Sequence, residues 1–185
     1  MAIRQPQLKA GFGARGVNAQ PGGGLKKPPP PKGPRGVRLE NRIGIQAPAQ
    51  VIWDLIYDTE SWPDWNPFFV HAEGAIRLGG PLNIDLALPA GGVKRIDGTV
   101  LEWVPLEQLH WKVTANHGLV RTIHYVEIDA LAEVGCIIST GGIVGGFLGK
   151  TAARQTGGFY KAGFAAMNAA LKERAEADWA KQQPG

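Results

Sequence analysis

Residues 47–68 read APAQVIWDLIYDTESWPDWNPF, and the fold follows from how this stretch starts, stops and restarts. Pro48 suits the opening of a helix, and Val51, Ile52, Leu55 and Ile56 then fall on one helical face. Pro63 and Pro67 cannot continue that helix, so a short second helical turn is predicted before the chain straightens at Phe68. Just upstream, Leu39, Ile43 and Ile45 alternate with Arg38, Glu40 and Arg42, the period of a strand with one buried face. Downstream, strands are predicted at 68–73, 80–88, 93–103, 108–115, 119–129 and 133–140. Gly79-Gly80-Pro81, Pro89-Ala90-Gly91-Gly92, Pro105 and Asn116-His117-Gly118 supply the turns between them. Leu82, Ile84, Leu86 and Leu88 alternate with Asn83, Asp85 and Ala87, which marks a sheet buried on one face. From Thr151 to about Lys181 the strand character ends. A single long helix is predicted there, with Tyr160, Gly163, Phe164, Met167, Ala170 and Leu171 on one stripe. The order is strand, two short helices, six strands and a long helix. That is an α+β fold with its helices gathered on one face of a sheet of about seven strands.

Residues 1–36 differ from all of this. They are rich in Gly and Pro and hold seven of the 20 Lys and Arg, with no acid. Too few apolar residues are present to offset the entropy of ordering, so a disordered basic tail is expected, with a polyproline rod at Pro28–Pro31. The folded part, taken as residues 37–182, is then mildly acidic, because 37–185 holds 13 bases against 16 acids. No nucleic-acid partner is expected for it, since phosphate neutralisation needs clustered cations on the folded surface. The tail could make weak contacts with acidic partners, or be passive, or reflect a start site placed too far upstream. The single cysteine, Cys136, precludes an internal disulfide, and no secretory leader is evident. Both features predict a cytoplasmic location.

Specific residues carry a resemblance beyond the element order. They are Ala47 through Leu55, Asp58 through Trp62, Trp65-Asn66-Pro67-Phe68, Arg77-Leu78-Gly79, Gly98-Thr99-Val100 leading to Trp103 and Pro105, and Leu109-His110-Trp111. The chain resembles the polyketide cyclase/dehydrase branch of the START-like (SRPBCC) superfamily over about 37–180. The Trp-x-x-Trp-Asn-Pro run after an amphipathic helix is its most specific part. The resemblance implies a helix-grip fold, a curved antiparallel sheet around the C-terminal helix with a deep pocket between them. It also implies binding of an apolar molecule such as a lipid, polyketide or aromatic compound. Two alternatives accompany it, a cyclase or dehydratase and a protein-interaction or maturation factor, because fold alone does not decide function.

Within that frame the candidate ligand-binding residues are Phe69, Trp111, Thr122, His124, Tyr160, Gly163, Phe164 and Met167. If Val126 and Ile128 face the core, period-two alternation turns Val120, Thr122 and His124 the same way, and family strands often carry His at the place of His124. There it would orient a ligand carbonyl or exchange a proton. The competing role is a core histidine satisfied by the backbone or water. Tyr160 and Phe164 are expected to wall the pocket, with Gly163 beside them leaving volume open. Trp65 is assigned to structure, wedging the turn between helix and strand. No inward carboxylate pair or Ser/His/Asp set emerges, so catalytic residues stay unassigned. The family often places an acid before the long helix, where this chain has Ser139 and Thr140. The four histidines show no metal-ligand spacing, and neither a metal nor a cofactor is expected.

The run GGIVGGFLGKT at 141–151 has the Gly-Lys-Thr ending of a phosphate-binding loop, but Val144 occupies the first glycine position. The 34 residues after Thr151 cannot build the parallel architecture such loops serve. Residues 134–149 are uncharged yet shorter than the ~20 needed to span a bilayer. The region is predicted to be a strand end followed by a mobile glycine-rich loop over the pocket mouth.

Overall fold

A computed structural model describes residues 35–183. The expected basic tail, with its polyproline stretch, lies outside the described residues except at positions 35 and 36. The elements are β1 (Val37–Ile45), α1 (Ala49–Tyr57), a 3-10 turn (Thr59–Ser61), α2 (Trp62–Trp65), β2 (Phe69–Gly74), β3 (Pro81–Ala87), β4 (Val93–Val104), β5 (Gln108–Ala115), a second 3-10 turn (Asn116–Gly118), β6 (Val120–Ala130), β7 (Cys136–Gly145) and α3 (Gly149–Gln182).

The seven strands form one antiparallel sheet in the order β1-β7-β6-β5-β4-β3-β2. The first and last strands pair, and α1 and α2 carry the chain from β1 to the far edge, where β2 begins. Helix α3 lies across β1 and β7 and touches α1 and α2. The α+β helix-grip architecture is therefore present, with two short helices following the first strand. Among the described residues no helix is long and apolar enough to cross a membrane.

The α2–β2 turn is built by Asn66, whose Oδ1 accepts the backbone N–H groups of Phe68 (3.0 Å) and Phe69 (2.9 Å). This turns the chain sharply and drives both phenylalanines inward, where they are buried. At the other end of the sheet, Asn116 (φ 51°), His117 (φ 54°) and Gly118 (φ 90°) are all left-handed, which reverses the chain between β5 and β6.

The glycine-rich segment is a correction to the sequence reading. Residues 141–145 are not a mobile loop but the second half of β7, paired on one side with β1 and on the other with β6. Only 146–148 connect β7 to α3. Gly141 sits so close to β1 that a Cβ there would lie 2.6 Å from the Leu39 carbonyl oxygen, and the Tyr125 ring covers its outer side. Most of this strand is covered on both faces, so it shows no polar alternation, and that is why it read as a loop. Helix α3 accordingly starts at Gly149, two residues before the predicted Thr151.

Asn168 interrupts the apolar stripe of α3. It is fully buried. Its Oδ1 accepts from Thr140 Oγ1 (2.6 Å), while its Nδ2 donates to Asn41 Oδ1 (2.8 Å) and to the Asn41 carbonyl (3.1 Å). One satisfied polar group thus ties α3 to both β7 and β1 and sets the helix register against the sheet.

Candidate functional site

Strand alternation places Val120, Thr122, His124, Val126 and Ile128 of β6 on the inner face. They stand opposite Trp111 and Val113 of β5 and Gly142 and Val144 of β7. Helix α3 crosses above them with Ala152, Thr156, Tyr160 and Phe164. Between the two layers a cleft of about 340 Å³ opens at the end where β5 turns into β6. Val113, Val120, Thr122, His124, Val144 and Tyr160 are among its walls, and Lys94, Arg95, Asp97, Asn116 and Gln155 stand at its polar mouth. Behind it lies a void of about 10 Å³ that shares Thr122, His124, Val144 and Tyr160 with the cleft and adds Leu39, Gly142 and Phe164. The deep pocket implied by the resemblance is therefore shallow. Its inner part is occupied by a cluster of rings, with Phe68, Phe69, Trp111, Tyr160 and Phe164 in mutual edge and stacked contact.

His124 is the polar centre of this arrangement. It is 1% exposed. Trp111 stacks on one side of its ring (5.4 Å between centroids, 20°), Tyr160 leans over it (5.7 Å, 40°), and Phe164 meets it edge-on at 6.2 Å. Burial pulls its pKa down to about 4, only partly opposed by the Gly141 backbone, so the ring is neutral near pH 7. Nδ1 has no hydrogen-bond partner among the described residues. A Cβ at Gly142 would lie 3.3 Å from Nδ1, so the missing side chain opens the space that this nitrogen faces. A buried polar atom without a partner costs about 1–3 kcal/mol.

The other expected site residues separate into two groups. Thr122, His124 and Tyr160 line both cleft and void, and Phe164 lines the void. Phe69, Trp111 and Met167 are fully buried behind them and serve as the floor on which His124 and Phe164 rest. Burial of the Tyr160 phenol raises its pKa. Trp65 is 9% exposed, and its indole N–H has no partner among the described residues.

Gly163 requires a second correction, because it does not leave volume open. The Phe68 ring fills that volume: a Cβ on Gly163 would lie 2.5 Å from Phe68 Cζ and closer still to two other ring carbons. The substitution Gly163→Leu should therefore strain the core rather than fill a void. It gains about 1 kcal/mol of helix propensity but incurs overpacking of up to about 3 kcal/mol. A net loss of about 2 kcal/mol is expected in urea unfolding, partly restored by adding Phe68→Ala. An unchanged midpoint for Gly163→Leu would show that Phe68 gives way freely.

No carboxylate, lysine or arginine is buried among the described residues, and His124 is the buried ionisable side chain among those that line the cleft. At the position where the resemblance implies an acid, Thr140 is committed to Asn168. No group of three or more metal-ligating side chains is found among the described residues. Sequence reasoning missed Phe68, Asn168 and the mouth residues Lys94, Ala152 and Thr156. A helix-interior glycine on an apolar stripe was the available signal for Phe68, since it implies a bulky neighbour.

Residues 36–172 match the family described as polyketide cyclase / dehydrase and lipid transport. The chain belongs to that family. Among solved structures, this family member is similar to the di-domain ARO/CYC protein StfQ from the steffimycin biosynthetic pathway (12% identity, TM-score 0.61, 77% of this chain and 52% of that one). It spans about half of that protein's length. It is also similar to protein NE0264 from Nitrosomonas europaea (18% identity, TM-score 0.60, 77% and 96%). A third likeness is to a START superfamily protein from Mycobacterium smegmatis (15% identity, TM-score 0.55, 79% and 99%). At these identities the likeness establishes the START-like fold of this polyketide cyclase/dehydrase family member. None of the curated proteins matches its sequence significantly.

Proposed function

We propose that this domain binds a small, largely apolar molecule in the cleft between β4–β6 and α3, with the neutral His124 ring as its single buried polar handle. The observation that carries this reading is the unpartnered Nδ1 of a 1% exposed histidine at the foot of a cleft whose inner wall adds Val113, Val120, Val144 and the Tyr160 ring, while its charged groups stand at the mouth. A ligand carbonyl or hydroxyl reaching that nitrogen would complete a bond that the protein leaves unmade. The cleft volume is at the low end of the roughly 300–1,000 Å³ of typical small-molecule sites. This favours a ligand of one or two rings over a sterol, unless Tyr160 swings aside and joins the void to the cleft. A lipid-, polyketide- or aromatic-like ligand agrees with the family description and with the edge-presenting rings of Tyr160 and Phe164.

The family description also includes cyclisation and dehydration. His124 is the one candidate acid/base here, and a ring with a pKa of about 4 is almost fully deprotonated near pH 7. It would act by orienting and accepting rather than by donating a proton from its charged form. The ligand-binding reading is tested with paired probes, an aromatic hydrocarbon and an aromatic ketone or phenol of similar shape. The substitution His124→Phe should leave hydrocarbon affinity unchanged and weaken the polar probe about two- to tenfold, the worth of one net hydrogen bond. Equal loss for both probes, or no binding of either by the parent protein, would reject the cleft as the site and favour a protein-interaction role.

A further inference from the structure

Two turns meet beside the cleft mouth. One follows β5 and ends in Leu119, and the other, 146–148, joins β7 to α3. They are held together by the Leu148 N–H donating to the Leu119 carbonyl at 3.0 Å. Each turn carries an apolar tip, with Phe147 89% exposed and Leu119 45% exposed. On the elements next to the tips are Arg121, which pairs with Gly145 across the β6–β7 ladder, and Lys150 and Arg154 on the first turns of α3. All three are exposed. Arg35, at the start of β1, lines a neighbouring groove together with Lys150.

None of Arg121, Lys150 and Arg154 makes a salt bridge among the described residues. The segments that carry the tips and the cations, 115–126 and 141–164, contain no Asp or Glu, whereas Glu107, Asp129, Glu133, Glu176 and Asp178 belong to the other end of the strands and of α3. The one acid at the cleft mouth, Asp97 of β4, faces Arg95 at 3.8 Å. The domain is mildly acidic as a whole, so this separation of charge is a property of the fold.

We propose that this end of the domain docks on an anionic lipid bilayer, with Phe147 and Leu119 entering the headgroup region inside a collar of Arg121, Lys150 and Arg154. An aromatic tip ringed by cations suits an interface that is negative outside and apolar a few ångströms deeper. Two projecting tips, rather than a flat apolar face, suit a bilayer better than a rigid protein surface. The cleft opens at the same end, so a docked domain presents its mouth to the lipid. The inference stands on the rim alone and does not depend on what the cleft binds.

The test uses the full chain with phosphatidylcholine vesicles, with and without phosphatidylserine. The six Lys and Arg of residues 1–34 also attract anionic vesicles, so the deciding variant keeps the charge constant. The parent should bind vesicles only when phosphatidylserine is present, and Phe147→Ser should weaken that binding about tenfold. The double variant K150E/R154E should weaken it by at least about tenfold. Because Cys136 is buried, a Phe147→Cys variant can carry an environment-sensitive label, which should report an apolar surrounding on vesicles. Undiminished binding by Phe147→Ser, or a label that stays in water on the bound protein, would overturn the proposal and assign vesicle binding to the basic tail. Tighter binding of a DNA oligonucleotide, insensitive to Phe147→Ser, would overturn it in favour of a nucleic-acid surface.

Discussion

Replacing Trp62 by alanine is expected to cost about 3–5 kcal/mol of folding stability, the range for truncating a fully buried large ring. Trp62 is 0% exposed, its indole N–H donates to the Ile56 carbonyl at 3.2 Å, and its ring stacks on Phe69 at 5.8 Å. One residue thus caps the end of α1, anchors α2 and supports the first residue of β2. Against a total stability of about 5–15 kcal/mol for a domain of this kind, the loss could unfold the protein outright. Trp65→Ala should cost less, because Trp65 is 9% exposed and its N–H is unpartnered. Its removal therefore also removes an unmet donor, worth about 1 kcal/mol or more. Urea denaturation of both variants provides the check. A loss below about 1 kcal/mol for Trp62→Ala, or a larger loss for Trp65→Ala than for Trp62→Ala, would contradict this account of the turn.

Acid should destabilise the domain through His124. Its folded-state pKa is pulled from 6.5 down to about 4 by burial. Between those values the unfolded chain holds a proton that the folded chain refuses, so stability falls as pH falls. The stabilising contribution is complete above pH 6.5, declines through the window, and is gone below about pH 4. A displacement of that size is worth about 3 kcal/mol. The lowered carboxyl pKa values of Glu176, paired first with Lys172, of Glu73, paired first with Arg95, and of Asp178, paired first with Lys181, belong to mostly exposed groups and act only at the acid end of this window and below it. Unfolding free energies measured from about pH 6.5 to about pH 5, above the range of the glutamates, should therefore slope in the parent and be nearly flat in His124→Phe. An equal slope in the variant would move the effect to other groups. A flat parent would mean that the imidazole finds a partner in solution.

Much of the architecture was legible because its signals are local. The alternation of Leu82, Ile84 and Leu86 reports one buried face from neighbouring residues alone. Pro63 and Pro67 stop a helix wherever they stand, and Asn116-His117-Gly118 accepts left-handed backbone whatever it packs against. The inward direction of Thr122 and His124 followed from the same period of two. These are properties of a few consecutive residues, and tertiary context did not need to be known to read them.

What the chain order could not reveal are the places where distant segments meet. Gly163 looked like an opening, but Phe68, 95 positions earlier, occupies it, so the pocket is a shallow cleft instead of a deep chamber. The run from Gly141 to Gly145 looked like a loop because a strand covered on most of its length from both sides loses its polar alternation. Asn168 looked like a break in an apolar stripe until Thr140 and Asn41 arrived from two strands to satisfy it. Arg121, Lys150 and Arg154 come to one end of the domain from the start of a strand and the first turns of a helix. Periodicity states which face of an element is covered, and only the packed structure supplies the group that covers it.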